Sequence, residues 1–148
     1  MNIFSAIIRK LFLVKEIVSK KGELHFRRYR LLQTPWFAIY IHHICRSDED
    51  TDPHDHPWHF QSFMLSGSYM EMSRLYPNFN AIYYQHFHEG DVIKRHAEDV
   101  HKITLMTPEV WTLVFTSGRE REWGYRLNGE AWIDHKSYRQ LKNEGKLR

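Results

Sequence analysis

The sequence predicts an all-β barrel, preceded by an amphipathic helix and followed by a short one. Two observations carry this reading. From residue 24 onwards, short runs of β-branched and aromatic residues recur about every ten residues, each closed by Pro, Gly, Asn or Asp. Many short strands at even spacing argue for a barrel or sandwich. Before them, apolar residues recur three and four apart, which is the helical period.

Ile3, Phe4, Ile7, Ile8, Leu11, Phe12, Val14, Ile17 and Val18 make one apolar stripe, so a helix is expected over 2–20, stopped by Gly22. It packs on the barrel or on a partner subunit; its basic polar face also fits a membrane surface. Strands are expected over 24–32, 36–45, 60–65, 68–76, 81–87, 92–95, 100–106, 111–116 and 122–127. The polar, Lys-rich end closes with a helix over 136–143. One domain over 1–148 follows: a helix at 1–21, a barrel of about eight strands at 23–128, and a tail at 129–148.

Nine Phe, eight Tyr and five Trp supply the apolar area that such a core needs. A net charge of +3 is too small to argue for nucleic acid, and none is expected as a partner. The lone Cys45 cannot form an internal disulfide, so a reducing compartment, the cytoplasm, is expected. Arg9, Lys10, Lys15 and Glu16 break up the apolar start, which therefore does not read as a signal peptide. No run approaches the roughly 20 apolar residues of a membrane span.

The chemistry concentrates at Asp52-Pro53-His54-Asp55-His56-Pro57-Trp58-His59-Phe60-Gln61. His54 and His56 are two apart and so share a face of an extended backbone, stiffened by Pro53 and Pro57. A pair on one face can grip one metal ion. His101, downstream of the Gly90-Asp91 turn, is the best third ligand. His59 is a candidate ligand, proton shuttle or supporting partner, although an odd separation from His56 turns it to the other face. His96 lies in a turn and fits the pocket rim, and His86 and His88 read as an exposed strand. Only one of His42 and His43 can face inward. Asp55 and Asp99 flank candidate ligands and are placed to accept an imidazole N–H. Glu71 and Tyr69 share a strand face; if it is the inner one, they offer an acid or base and a phenol. Arg46, Arg74 and Arg95 are candidates for a substrate anion.

These segments resemble the two motifs of the cupin superfamily. The first pairs His-x-His with a glutamate and then a glycine; His54, His56 and Gly67 match. The second runs from a glycine to a histidine; Gly90 and His101 match, with His96 and Glu98 in place of its Pro and Gly. The resemblance covers 41–115. Within the superfamily the chain is similar to small bacterial and phage proteins with a His-Asp-His-Pro-Trp signature, followed by Gly67-Ser68-Tyr69-Met70-Glu71. It implies a double-stranded β-helix, or jelly roll. The usual glutamate is missing: its slots hold Phe60 and Gln61, and Gln61 is left as a weaker fourth ligand.

Three neutral imidazoles with open positions suit a divalent transition metal, first Fe(II), then Zn, Ni or Mn, rather than Mg or Ca. The expected function is a metal-dependent oxygenase or dioxygenase acting on a small molecule. The alternatives are a cupin-type isomerase or epimerase, and a non-catalytic small-ligand-binding protein. A homodimer formed through the aromatic edge segments is expected.

Overall fold

In the computed structural model, residues 7, 12–18, 21–128 and 130–147 are described. Among these residues eleven strands and one complete helix follow in order: β1 Leu13–Val18, β2 Leu24–Gln33, β3 Phe37–Ile44, β4 Phe60–Ser66, β5 Ser68–Leu75, β6 Asn78–His88, β7 Val92–Arg95, β8 Val100–Leu105, β9 Val110–Ser117, β10 Gly124–Leu127, β11 Ala131–Asp134 and α1 His135–Asn143. The strand-rich architecture and the closing helix agree with the sequence. The strands form two facing antiparallel sheets rather than one closed barrel. The larger has the order β1-β2-β3-β9-β4-β7; opposite it lie β6-β5-β8 and the hairpin β10-β11.

His54 joins the last two pieces. It bridges to both His101 of β8 and Tyr125 of β10. Its N–H donates to the His101 carbonyl at 3.0 Å, and its carbonyl accepts from the His101 N–H at 2.9 Å. A site histidine is thus a rung of the second sheet, held by backbone bonds on both sides.

Alternation decides what faces inward. Ala38 and Tyr40 on β3, Thr112, Val114 and Thr116 on β9, Ser62 and Met64 on β4, and Tyr69, Glu71 and Ser73 on β5 are all buried. Met64, Tyr69, Ile93 and Val110 form one apolar cluster, with Ile44, Phe87, Ile103 and Leu105 packed against it. Ala38, Tyr40 and Val114 form a second, covered by Phe60.

The expected helix over 2–20 is corrected at its C-terminal part; Ile7 and Phe12 are helical, and the remaining positions fall outside the described residues. Leu13–Val18 is a strand paired with β2. Val14, Ile17 and Val18 favour strand as readily as they satisfy a helical stripe. Pairing also covers the β2 edge, and Glu16 meets Arg27 across the ladder at 2.5 Å. The tail is corrected too, since Ala131–Asp134 is a strand. Buried Asp55 accepts from the Gly124 N–H at 2.6 Å on β10 and from Trp132 Nε1 at 2.8 Å on β11, with Arg121 at 2.5 Å. That carboxylate pins the hairpin and supports no imidazole. Asp99 likewise caps backbone, accepting from the N–H groups of Tyr76 and His96.

Gly67 turns β4 into β5 with φ +81°, and a Cβ there would meet the Glu109 carbonyl oxygen at 2.3 Å. Both the left-handed backbone and the contact oppose a side chain. Gly67→Ala is expected to cost about 1–3 kcal/mol, read as a lower midpoint in urea denaturation.

Candidate metal centre

Three imidazoles converge between the sheets. One ring nitrogen from each of His54, His56 and His101 lies within 4.8 Å of the others. His56 Nε2 and His101 Nε2 are 2.8 Å apart. His54 and His56 sit on the loop entering β4, where Asp55 fixes the backbone between them; His101 projects inward from β8. The cluster is half-open: His101 is buried, whereas His54 and His56 are partly exposed. Phe60 packs edge-on against His56, and Trp123 and Tyr125 flank His54.

The carboxylate behind the cluster is Glu71, which has no exposed surface. Its Oε1 accepts from His101 Nδ1 at 2.5 Å, and its Oε2 accepts from Arg95 Nη2 at 2.5 Å. Burial alone would raise its pKa, but the His101 hydrogen bond and the Arg95 charge outweigh burial and hold it below the usual range. An ionised Glu71 fixes the His101 proton on Nδ1 and leaves the Nε2 lone pair pointing at His56. Asp48 Oδ2 lies 3.9 Å from His54 Nδ1, too far for a hydrogen bond, and accepts instead from the Ile103 N–H at 2.8 Å. The carboxylate that supports a ring is therefore Glu71, not Asp55 or Asp99.

This donor set fits a transition metal. Two facing lone pairs 2.8 Å apart repel unless a proton or a cation lies between them. Burial, followed by the charge of neighbouring histidines, depresses the pKa of His56 well below the ordinary value; burial also lowers that of His54, against the pull of Asp48. Neutral imidazole is the ligating form. The same shifts predict acid sensitivity in the metal-free protein. A folded-state pKa below about 6.5 means that the unfolded chain takes up protons first as pH falls. Stability is then full above about 6.5 and declines on acidification below it, as denaturation midpoints measured across that range would show.

The remaining candidates are placed elsewhere. Gln61 follows inward-facing Phe60 on regular β4 and so leaves the opposite sheet face, away from the three rings. His59 accepts from the Ala97 N–H through Nδ1 at 3.0 Å and pairs with Glu120 at 2.9 Å, beside His96. Tyr69 packs on Phe87 in the apolar cluster, where burial pushes its hydroxyl pKa up. His86 and His88 are exposed on β6. Arg46 pairs with Glu23 and Glu49, and Arg74 donates to the Phe79 carbonyl. His42 faces inward. His43 faces out, stacked on Trp111 at 3.9 Å, and with Cys45 and Glu109 forms a second group of possible ligands. Burial, then the Glu109 charge, raises the Cys45 pKa, so this group offers a thiol rather than a thiolate.

Two surface grooves have none of the three histidines in their lining. One, of about 350 Å³, is lined by Cys45, Asp48 and Leu105 among others. The other, of about 230 Å³, is lined by Trp123, Tyr125 and Tyr138 among others.

Comparison with protein-family models and with curated proteins finds no match. Solved structures do match. Hydroxypropylphosphonic acid epoxidase from S. wedmorenis superposes with TM-score 0.51 at 12% identity over 69% of this chain and 55% of that one. An FeII HppE structure gives 0.55 at 12% identity, over 69% and 54% respectively. KdgF from Halomonas sp. gives 0.52 at 17% identity, over 74% and 94%. Lactobacillus farciminis oxalate decarboxylase gives 0.56 at 11% identity, over 73% and 31%. These neighbours are cupin-fold proteins. The chain has the cupin fold. It spans about half the length of the HppE chains that it matches. At these identities the likeness concerns the cupin architecture alone.

Proposed function

We propose that this cupin binds one divalent transition metal through His54, His56 and His101 and acts as an iron-dependent oxygenase on a small molecule. The observation that carries the reading is the Arg95–Glu71–His101 chain. A buried ion pair is costly to assemble, and here it aims one imidazole lone pair at a second ring. An Fe(II) ion held by three neutral ligands would supply open positions for a substrate and for dioxygen side by side. The protein's own part is to fix the tautomer of His101, to flank the rings with Phe60, Trp123 and Tyr125, and to keep Glu71 ionised. Iron is the metal we propose first, ahead of Zn, Ni and Mn, because three neutral imidazoles leave open positions of the kind that non-haem iron uses.

The isomerase or epimerase alternative needs a phenol for acid–base work. Tyr69 is 4% exposed within the apolar cluster, with its pKa raised, which disfavours that role. Among the described residues, no helix is long and apolar enough to cross a membrane. A cytoplasmic homodimer is our expectation, and sedimentation at high protein concentration tests the assembly.

The test of the function is anaerobic reconstitution with Fe(II), followed by nitric oxide as a dioxygen surrogate. A high-spin iron–nitrosyl signal by electron paramagnetic resonance is expected for the wild type and not for His101→Ala. Iron that is bound at one per chain yet silent to nitric oxide would argue against an oxygenase.

A further inference from the structure

A row of basic groups crosses the inner face of the larger sheet. Lys15 on β1 is directly opposite Arg28 on β2, Arg28 is opposite His42 on β3, and His42 is opposite Thr112 on β9. Like charges directly opposite in a ladder are destabilising, so this arrangement calls for a counter-charge. None is supplied among the described residues. Among the described residues neither Lys15 nor Arg28 makes an ion pair, and the positions outside the description, 1–6, 8–11, 19, 20, 129 and 148, hold no Asp or Glu.

Arg28 is half-buried and partly satisfied. Its Nε donates to His42 Nε2 at 3.0 Å. Its guanidinium lies 5.1 Å from the Tyr40 ring centre and 5.5 Å from that of Trp58, a stack that holds the group in place. No acceptor meets its two Nη groups among the described residues. This fork lies on the metal side of the sheet. Trp58, which stacks on Tyr40, is two residues from His56, and Phe60 packs both on the Tyr40 cluster and edge-on against His56 at 4.9 Å. Burial, then Arg28, lowers the pKa of Lys15; burial and Arg28 also keep His42 neutral, so that it accepts from Arg28 rather than competing with it for an anion.

We infer that Arg28, assisted by Lys15, binds the oxyanion of a small acidic substrate, a carboxylate or a phosphonate, beside the three histidines. A planar guanidinium whose Nη–Nη edge is unused suits both anions, and aromatic walls pre-organise it. The inference names the substrate class of the proposed enzyme and so rests on that reading, but its test does not require metal.

The experiment is calorimetric titration of the full chain with propionate, methylphosphonate and the neutral propionamide, at low salt and in parallel for the wild type, Arg28→Gln, Lys15→Gln and the control His86→Ala. Circular dichroism checks the fold of each. Binding of at least one anion, and not of the amide, is expected. Which anion binds more tightly assigns the headgroup. Arg28→Gln is expected to weaken binding about tenfold to a hundredfold, the scale of losing a charge-assisted hydrogen bond. Lys15→Gln has a smaller effect in the same direction, and His86→Ala, exposed on β6, binds as the wild type does. Should Arg28→Gln fail to fold, Lys15→Gln carries the test at the exposed strand. Equal anion affinity in wild type and in the folded cation variants overturns the inference, as does a wild type that takes up no anion better than the amide. A wild type that binds anion but no metal would sustain the inference and sink the metal reading.

Discussion

Replacing Glu71 by alanine is expected to cost about 3–5 kcal/mol, because it leaves the Arg95 guanidinium buried without its partner. Arg95 is 9% exposed at its side chain and its ion pair with Glu71 is direct, so solvent cannot take over. The same change frees His101 Nδ1 and lets the ring adopt the wrong tautomer. Metal affinity is expected to fall about 10- to 100-fold, the scale of losing an outer carboxylate behind a ligating histidine. Glu71→Gln separates the two effects. It preserves shape and part of the hydrogen bonding, so it should lose less stability than alanine while still weakening the metal. Urea denaturation and metal titration on both variants check this. Unchanged stability and unchanged affinity in Glu71→Ala would remove the central relay from the account.

The second large effect concerns the ligands. His54→Ala, His56→Ala and His101→Ala are each expected to reduce bound metal from about one per chain to a small fraction, since a site of three loses a third of its donors. His86→Ala and Gln61→Ala should leave the content unchanged. His86 is exposed on β6 and Gln61 leaves the outer face of β4. Elemental analysis of protein purified without a histidine tag reads the outcome. Equal content in all five variants would contradict the assignment.

The convergence of the three rings was legible because period-two spacing puts His54 and His56 on one face and the turn at Gly90 returns the chain to His101. The inward face of Tyr69 and Glu71 was legible for the same reason. What Glu71 touches was not. Its meeting with His101 depends on the β5–β8 register, which sets Ser73 opposite His101 across a separation that no local pattern reports. Gln61 filled a motif slot but failed on parity, since its neighbour Phe60 takes the inner face. The start of the chain was ambiguous in physical terms. Val14, Ile17 and Val18 satisfy both a helical stripe and a β-branched strand, and the open edge of β2 decided between them. The short β11 carries almost no signal of its own, and its hairpin depends on Asp55, about seventy positions earlier in the chain.

The most direct measurement is X-ray absorption on the zinc-loaded protein, because the two candidate clusters among the described residues differ in their donor atoms. The account predicts nitrogen scatterers at about 2.0–2.1 Å, with the outer-shell pattern of three imidazoles and no sulfur. A sulfur shell near 2.3 Å would contradict it, placing the metal at His43, Cys45 and Glu109 on the opposite face of β3.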